Sequence, residues 1–371
     1  VSEKDGAKND MKRLGLAGKS ILPIYKPVVW LLGYNTRENG ETGPTGCEPD
    51  PGSDTGLSLN IMSFNIRRGT AKDRNNHWIF RRNLVHQILD LYRPDVLGLQ
   101  EAMDFQIAAL RRMLPGYAMV GSGGLGGSEG MHTAIFFNET RFSLFEEGTF
   151  WLSDTPDVPG SKGWGNILPR TCTWVRLIEK ESGQGFYFYN THLNHISQRS
   201  RKKSVVFLAQ RIQERAFQDP FVLMGDFNAR ERSAPIKYLK GKVHLNMKAR
   251  GGSLNPVPLL DTFRQRYPKR RNVVTFHGFR RFLFRFRLDY IFVPSIFKVH
   301  DVKIIQLRWK KCYPSDHFPI LTRIEIPASL TDLNSDHGPD EKKAAPKSEI
   351  KRGKPVLPHQ KPDSKGDTRG K

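Results

Sequence analysis

The segment Phe221-Val222-Leu223-Met224-Gly225-Asp226-Phe227-Asn228 sets the tightest limit on what this chain can fold into. Its apolar run is too short for a helix and combines β-branched and aromatic character, so it reads as a buried strand. A glycine ends the run, and a carboxylate, an aromatic ring and a carboxamide follow. On extended backbone Asp226 and Asn228, two apart, point the same way. Strand tips that carry such groups are a common place for chemistry. The same pair also reads as a turn or a helix cap, and the segment alone leaves both readings open.

Comparable runs recur along the chain. Strands are expected at Leu59–Asn65, Asp95–Gln100, Ala134–Phe137, Phe142–Thr149, Thr171–Ile178, Phe186–Thr191 and Phe221–Gly225. Three more follow at Leu288–Val293, Val302–Leu307 and Ile320–Ile326. Helical periodicity covers Trp78–Tyr92, with Val85, Ile88, Leu89 and Tyr92 on one face. It returns over Ser197–Ala216, where Val205, Leu208, Ala209, Ile212 and Ala216 share a register. Many strands with few helices imply an α/β fold of two packed sheets with helices outside them.

The ends of the chain read differently. Residues 35–56, rich in Gly, Pro, Thr, Asp and Glu, read as a linker, so residues 1–56 form an N-terminal extension. Residues 328–371 are rich in Lys, Pro, Asp and Ser and read as a disordered tail. One catalytic domain is expected between them, from 57 to 327. The apolar stretch 21–34 is interrupted by Pro23, Lys26 and Pro27 and is too short to span a membrane. Cys47, Cys172 and Cys312 are too few for a disulfide framework and have no metal-ligand spacing. With no recognisable secretory signal, a cytoplasmic monomer is expected.

Charge narrows the partners. The chain carries a formal +22; residues 1–56 contribute −1 and residues 328–371 contribute +3, which leaves +20 on the expected domain. A body of that sign concentrates polyanions such as nucleic acid, anionic lipid surfaces or phosphorylated small molecules.

Polar residues close several of the expected strands: Asn65 in MSFNIRRG, Glu101 in DVLGLQEA and His192 in YFYNTHLNH. Asp289 lies in RLDYIFV, and Asp316 and His317 in YPSDHFPI. Each has a simpler reading as a turn residue, a cap, a structural histidine or the partner of a local arginine. Together with Asp226 and Asn228 they place carboxylates, carboxamides and histidines at the tips of apolar strands, which coincidence explains poorly.

In order and wording these segments resemble the endonuclease/exonuclease/phosphatase superfamily, which includes pancreatic-type deoxyribonucleases, exonuclease III-like enzymes, neutral sphingomyelinases and inositol-polyphosphate phosphatases. The resemblance covers nearly all of residues 57–327, and FWLSDTPDVPGSKGW with Arg170 is most similar to a largely bacterial branch of metal-dependent hydrolases. It implies a four-layer α/β sandwich of two packed mixed sheets flanked by helices, with a Mg²⁺ or Mn²⁺ site at one end. Glu101 would be the main metal carboxylate, completed by Asn65 and Asp316. Asp226 would activate the attacking water, and Asn228 would hydrogen-bond a phosphoryl oxygen. His317, oriented by Asp289, would stabilise the charge that develops on phosphorus. His192 would contact phosphate or protonate the leaving oxygen, and Arg170 and Asn194 would bind substrate. Asn194 stands where that branch often has Asp, which removes one candidate ligand for a second metal. Glu129, in the glycine-rich loop 121–130, is either a further metal ligand or a loop residue, and the loop reading is preferred because its spacing to the next strand differs from the family's.

Between Asp261 and Asp289 the chain has no acid, but it has nine Lys/Arg and six Phe. Phe282, Phe284 and Phe286 alternate with Leu283, Arg285 and Arg287, as in a strand with an aromatic face and a basic face. Arginines beside aromatics suit phosphate contact with base stacking, and they also suit an anionic membrane surface. The expected activity is therefore a metal-dependent phosphodiesterase acting on DNA or RNA. The alternatives are an enzyme acting on phospholipid or phosphoinositide headgroups and a non-catalytic polyanion-binding module.

Overall fold

The computed structural model describes residues 56–245, 254–280, 285–309 and 312–327. Gly56 excepted, the expected extension over 1–56 lies outside them, as do the tail over 328–371 and Phe282, Leu283 and Phe284 of the expected aromatic strand.

Two six-stranded sheets form the body. The first has the order β11-β12-β1-β2-β4-β3 and the second β5-β6-β7-β8-β10-β9. In chain order the strands are β1 (Leu57–Asn65), β2 (Val96–Gln100), β3 (Tyr117–Val120), β4 (Ile135–Asn138), β5 (Phe142–Trp151) and β6 (Thr171–Glu179). They continue as β7 (Gly185–His192), β8 (Phe221–Asp226), β9 (Leu260–Asp261), β10 (Asp289–Val293), β11 (Lys298–Ile304) and β12 (Ile320–Ile326). The helices are α1 (Trp78–Tyr92), α2 (Asp104–Met113), α3 (Gln198–Gln213), α4 (Ala234–Leu239) and α5 (Thr262–Arg266).

Strand periodicity explains the layering. Along β8, Val222 and Met224 enter the core between the sheets, with Leu59 and Ile61 of β1 across from them. Phe221 and Leu223 point the other way and pack under Val205, Leu208 and Ile212 of α3. In the first sheet, Met62 and Phe64 of β1 turn outward to meet Val85, Ile88 and Leu89 of α1. Strands buried on both faces read as near-continuous apolar runs, which is why GDFN follows an unbroken hydrophobic stretch. The sheets approach closely at Gly98, where a Cβ would stand 2.9 Å from both Asn190 and Met224 side-chain atoms.

The expected four-layer sandwich is thus the observed one. Some local expectations shift. β11 starts earlier than expected and has a register shift between Val299 and Asp301. α2 was not expected: Met103 supplies no capping side chain, and the Gln106 amide oxygen accepts from Met103 N instead (3.1 Å). Extended backbone stops at Asp226, because Asn228 adopts a left-handed φ of 46°. Asp226 and Asn228 are therefore joined by a turn rather than lying on one strand. Arg287 also departs from the expected substrate-facing basic face, because it is buried in an ion pair with Asp261.

Candidate active site

Parallel pairing places the strand tips together. β1 pairs in parallel with β2, ending in Asn65 opposite Gln100, and β7 with β8, ending in His192 opposite Asp226. β10 runs antiparallel to β8 and starts at the same end, so Asp289 faces Asp226 across the ladder. β12 starts at that end too, just after Asp316 and His317. The end of β8 needs its glycine: Gly225 has φ +145°, and a Cβ there would fall 2.0 Å from Thr191 O of β7. Strain marks the same spot, since Arg67, Glu101 and Asn228 all have positive φ at 57°, 61° and 46°. Non-glycine residues pay about 1–2 kcal/mol each for that conformation, and such outliers cluster where function fixes the backbone.

A cleft of about 570 Å³ opens over these tips. Asp226, 1% exposed, lies at its centre. Its Oδ2 is 3.1 Å from Asn65 Nδ2, 3.4 Å from His192 Nε2 and 3.8 Å from His317 Nε2. Its Oδ1 accepts from Asn228 N (2.9 Å), and Asn228 Nδ2 donates to Leu193 O (3.0 Å). His317 Nδ1 bonds Asp289 Oδ2 at 2.8 Å, which leaves Nε2 facing Asp226. Among the described residues the Asp289 Oδ1 atom has no hydrogen-bond partner.

These groups shift one another's acidity. Burial pushes Asp226 up, His317 opposes this and Asp289 adds to it; the carboxyl settles at about 7. His317 is pulled down by burial but raised further by Asp289 and Asp226, to about 10. His192 goes the other way: burial, then Arg170 and His317, hold it well below an ordinary histidine. At neutral pH the cluster holds a carboxyl poised to take a proton, an imidazolium and a neutral imidazole.

A second group adjoins the first. Glu101 accepts from Arg68 N (3.1 Å) and stands 3.4 Å from Asn65 Nδ2. Burial alone would raise its pKa, but Arg67, the Arg68 amide and His317 together hold it low. Asp316 is raised by burial, and the nearby Glu101 charge pushes in the same direction while His317 opposes both. The carboxylates of Glu101 and Asp316 offer oxygens of the kind hard divalent ions prefer, whereas Asn65 turns its Nδ2 to Glu101 and its Oδ1 to Arg67 N. Asp226, Asp289 and His317 form another candidate, with ligand atoms within 4.8 Å of one another. His317 Nδ1 and Asp289 Oδ2 already share a hydrogen bond there, which leaves His317 Nε2 and Asp289 Oδ1 as the atoms free to face an ion.

Arg170 lines the cleft, and its Nη2 contacts His195 Nδ1 at 3.2 Å. Asn194 does not line it. Its amide bonds Asn166 Oδ1 (2.6 Å) and accepts from Ile196 N and Ser197 N, shaping the entry to α3. Glu129 is exposed and outside the cleft wall. Arg67, Arg68, Asp73 and His195, which the sequence did not single out, complete the wall together with Phe276 and Arg280 of the expected basic and aromatic stretch. The signal for the first two was present, since they follow Asn65 after a single isoleucine in MSFNIRRG.

Underneath, Arg81 is 1% exposed and has no carboxylate partner within bonding distance among the described residues. It donates instead to carbonyls of Ile66, Arg67, Asn76 and Pro314, stapling the loop after Asn65 to the loop before Asp316.

Comparison with known proteins gives this arrangement its context. An uncharacterised protein of Acanthamoeba polyphaga mimivirus is 29% identical over 185 residues, 47% of this chain and 68% of that protein. The endonuclease/exonuclease/phosphatase of Bacteroides vulgatus superposes with TM-score 0.65 at 27% identity, over 73% of this chain and 99% of that one. A mannosyl-6-phosphatase of Bacteroides thetaiotaomicron gives TM-score 0.62 at 31% identity, over 72% and 99%. The profile described as "Endonuclease/Exonuclease/phosphatase family" matches residues 62–317, from the middle of β1 to the histidine that faces Asp226. The chain belongs to that family, whose members are phosphoric ester hydrolases that generally use divalent metals.

Proposed function

We propose that the protein is a Mg²⁺- or Mn²⁺-dependent phosphodiester hydrolase acting on nucleic acid. The observation that carries this reading is the Asp226–His192–His317–Asp289 cluster at the base of a cleft walled by Arg67, Arg68, Arg170 and Arg280. The +20 of residues 57–327 supports a polyanionic substrate.

Asp226, buried and raised to about 7, is suited to orient a water and take its proton. His317, charged at neutral pH and oriented by Asp289, places a positive donor where charge builds up on phosphorus. Asn228, whose amide turns about Asp226, and His192 supply further donors at the same point. Arg170, buried with its Nε unpaired, is suited to grip a phosphate oxygen. Glu101 and Asp316 would hold the metal, with Asn65 beside them, since carboxylate oxygens fit a hard cation and the Glu101–Asp316 repulsion is what a cation relieves. When bound, that ion supplies charge neutralisation on the phosphoryl group and a more acidic water.

A second reading, hydrolysis of a phosphomonoester on a sugar or inositol, is favoured by the 31% identity to the mannosyl-6-phosphatase. One assay separates the readings. Plasmid DNA, single-stranded RNA, sugar and inositol phosphates and anionic phospholipid vesicles are each incubated with the protein and Mg²⁺ or Mn²⁺. Strand cleavage that disappears in Asp226→Asn and His317→Ala supports a nuclease. Phosphate release from the small esters with inert nucleic acid transfers the conclusion to the second reading, and headgroup release from vesicles transfers it to a lipid substrate.

A further inference from the structure

Arg67 occupies an unusual position between the two carboxylates assigned to the metal. Its Nη1 is 3.9 Å from Glu101 Oε2 and its Nε is 3.7 Å from Asp316 Oδ2. Both distances are within ion-pair range yet longer than a hydrogen bond, so the guanidinium neutralises both acids without saturating either. Its hydrogen bonds go elsewhere. Nε and Nη2 grip Asp73 in a bidentate pair, both at 3.0 Å.

The backbone beneath is fixed from several sides. Arg67 N donates to Asn65 Oδ1 (3.0 Å), and Arg67 O accepts from Arg81 Nη2 (2.7 Å) and Gln106 Nε2 (3.1 Å). The left-handed φ of 57° is held by that network. The side chain remains 28% exposed and lines the cleft. A rigid root with a partly open tip lets the guanidinium shift while its anchor stays in place.

We propose that Arg67 is a tethered cation that pairs with Glu101 and Asp316 and competes with the divalent ion for them, so that its charge sets how tightly the site binds metal. Asp73 is the tether: it receives the guanidinium and keeps it beside the two acids. This inference rests on the reading of Glu101 and Asp316 as metal ligands. The Glu101 and Asp316 charges repel one another, and a resident positive charge within 4 Å of each offsets that repulsion. That same charge opposes an incoming cation over a few ångströms, where water screens poorly.

The test is Mn²⁺ binding by calorimetry on the full chain, with no phosphoester present. Arg67→Gln is expected to lower the Kd about tenfold or more, whereas Arg67→Lys, which keeps the charge, stays near wild type. Glu101→Gln serves as the control for the site and is expected to weaken binding. An Arg67→Gln variant that binds Mn²⁺ no more tightly than wild type overturns the proposal. So does an Arg67→Lys variant as tight as the glutamine one, because bulk rather than charge would then be responsible. Wild-type binding that is indifferent to Glu101→Gln overturns the ligand assignment and this inference together, while leaving hydrolysis itself to the substrate assay.

Discussion

Arg287 and Asp289 stand two residues apart, and each belongs to a buried pair of opposite charge. Arg287 holds Asp261 through two guanidinium nitrogens, Nη1 at 2.9 Å and Nη2 at 2.5 Å. Its charge also lies over the rings of Phe263 and Tyr290, 4.8 and 4.4 Å from their centroids. Asp289 holds His317 by one bond, with its other oxygen unpaired and the far imidazole nitrogen turned to Asp226. The first pair is bidentate and packed against aromatics, although Arg287 Nε has no hydrogen-bond partner among the described residues. The second is left open towards the cleft. A closed buried pair fixes structure, whereas an open one keeps capacity to bind or transfer a proton.

That contrast can be broken experimentally, and the largest effect belongs to the open pair. Asp226→Asn and His317→Ala should each lower kcat/KM by about 10²–10⁴-fold or more, with thermal melting unchanged or improved. Loss of folding in step with loss of activity would place these residues in the structural class instead. Next comes Arg287→Ala, which strands Asp261 in the interior and should cost about 3–5 kcal/mol in urea denaturation. Unchanged stability there would remove the distinction between the two pairs. Asp289→Asn, a milder change, should keep the fold and reduce kcat about 10²-fold with little change in KM, because the imidazole loses its orienting charge. A KM effect alone would argue that Asp289 serves binding only.

The smallest effect concerns the rim of the closed pair. Glu231 bonds Arg264 at 2.6 and 2.7 Å and stands 3.9 Å from Arg287. Burial alone would raise its pKa, but these arginines outweigh burial and depress it. A depressed carboxylate contributes stability above its unfolded pKa of about 4.3, and that contribution fades as pH falls through the folded value. Melting curves of wild type should therefore drop more steeply below about pH 4.5 than those of Glu231→Gln, by about 1 kcal/mol at most. Parallel curves would show that the pair contributes nothing to folding.

Much of the architecture was legible because strand burial leaves a direct trace in composition. β1, β8 and β12 coincide with apolar runs whose alternate residues serve two different cores, and α1 matches its expected span. α2 was not legible, since its cap comes from Gln106 reaching backwards, and Gln106 also accepts from Gly69 N across a chain gap of 37 residues. The two-residue β9 carries too little pattern to be seen at all. At the site, Asn65, Glu101, His192, Asp226 and His317 were singled out as residues at strand tips, and all but Asn65 line the cleft directly. Arg81 escaped notice because nothing local distinguishes a helical arginine that will be buried under carbonyls from one that faces water. Asn194, expected beside substrate, caps a turn because its neighbour Asn166 is brought in from a distant loop.

By itself the sequence determined the sheets, their approximate strand boundaries and the polar residues waiting at their ends. Those follow from local periodicity and from the solvent's exclusion of apolar runs, which act over a few residues. Only the tertiary structure decided how those ends are wired. It paired Asp289 with His317 rather than with a local arginine, sent Arg287 inward to Asp261, and placed Arg67 between Glu101 and Asp316. Ion pairs of this kind depend on strand pairing and on loops that meet across tens to hundreds of residues, and electrostatics at such contacts reads distance in space, not in sequence. The turn at Gly225-Asp226-Phe227-Asn228 shows both levels: its glycine and carboxylate were plain in the chain, but the acidity of Asp226 was set by the neighbours that folding brought to it.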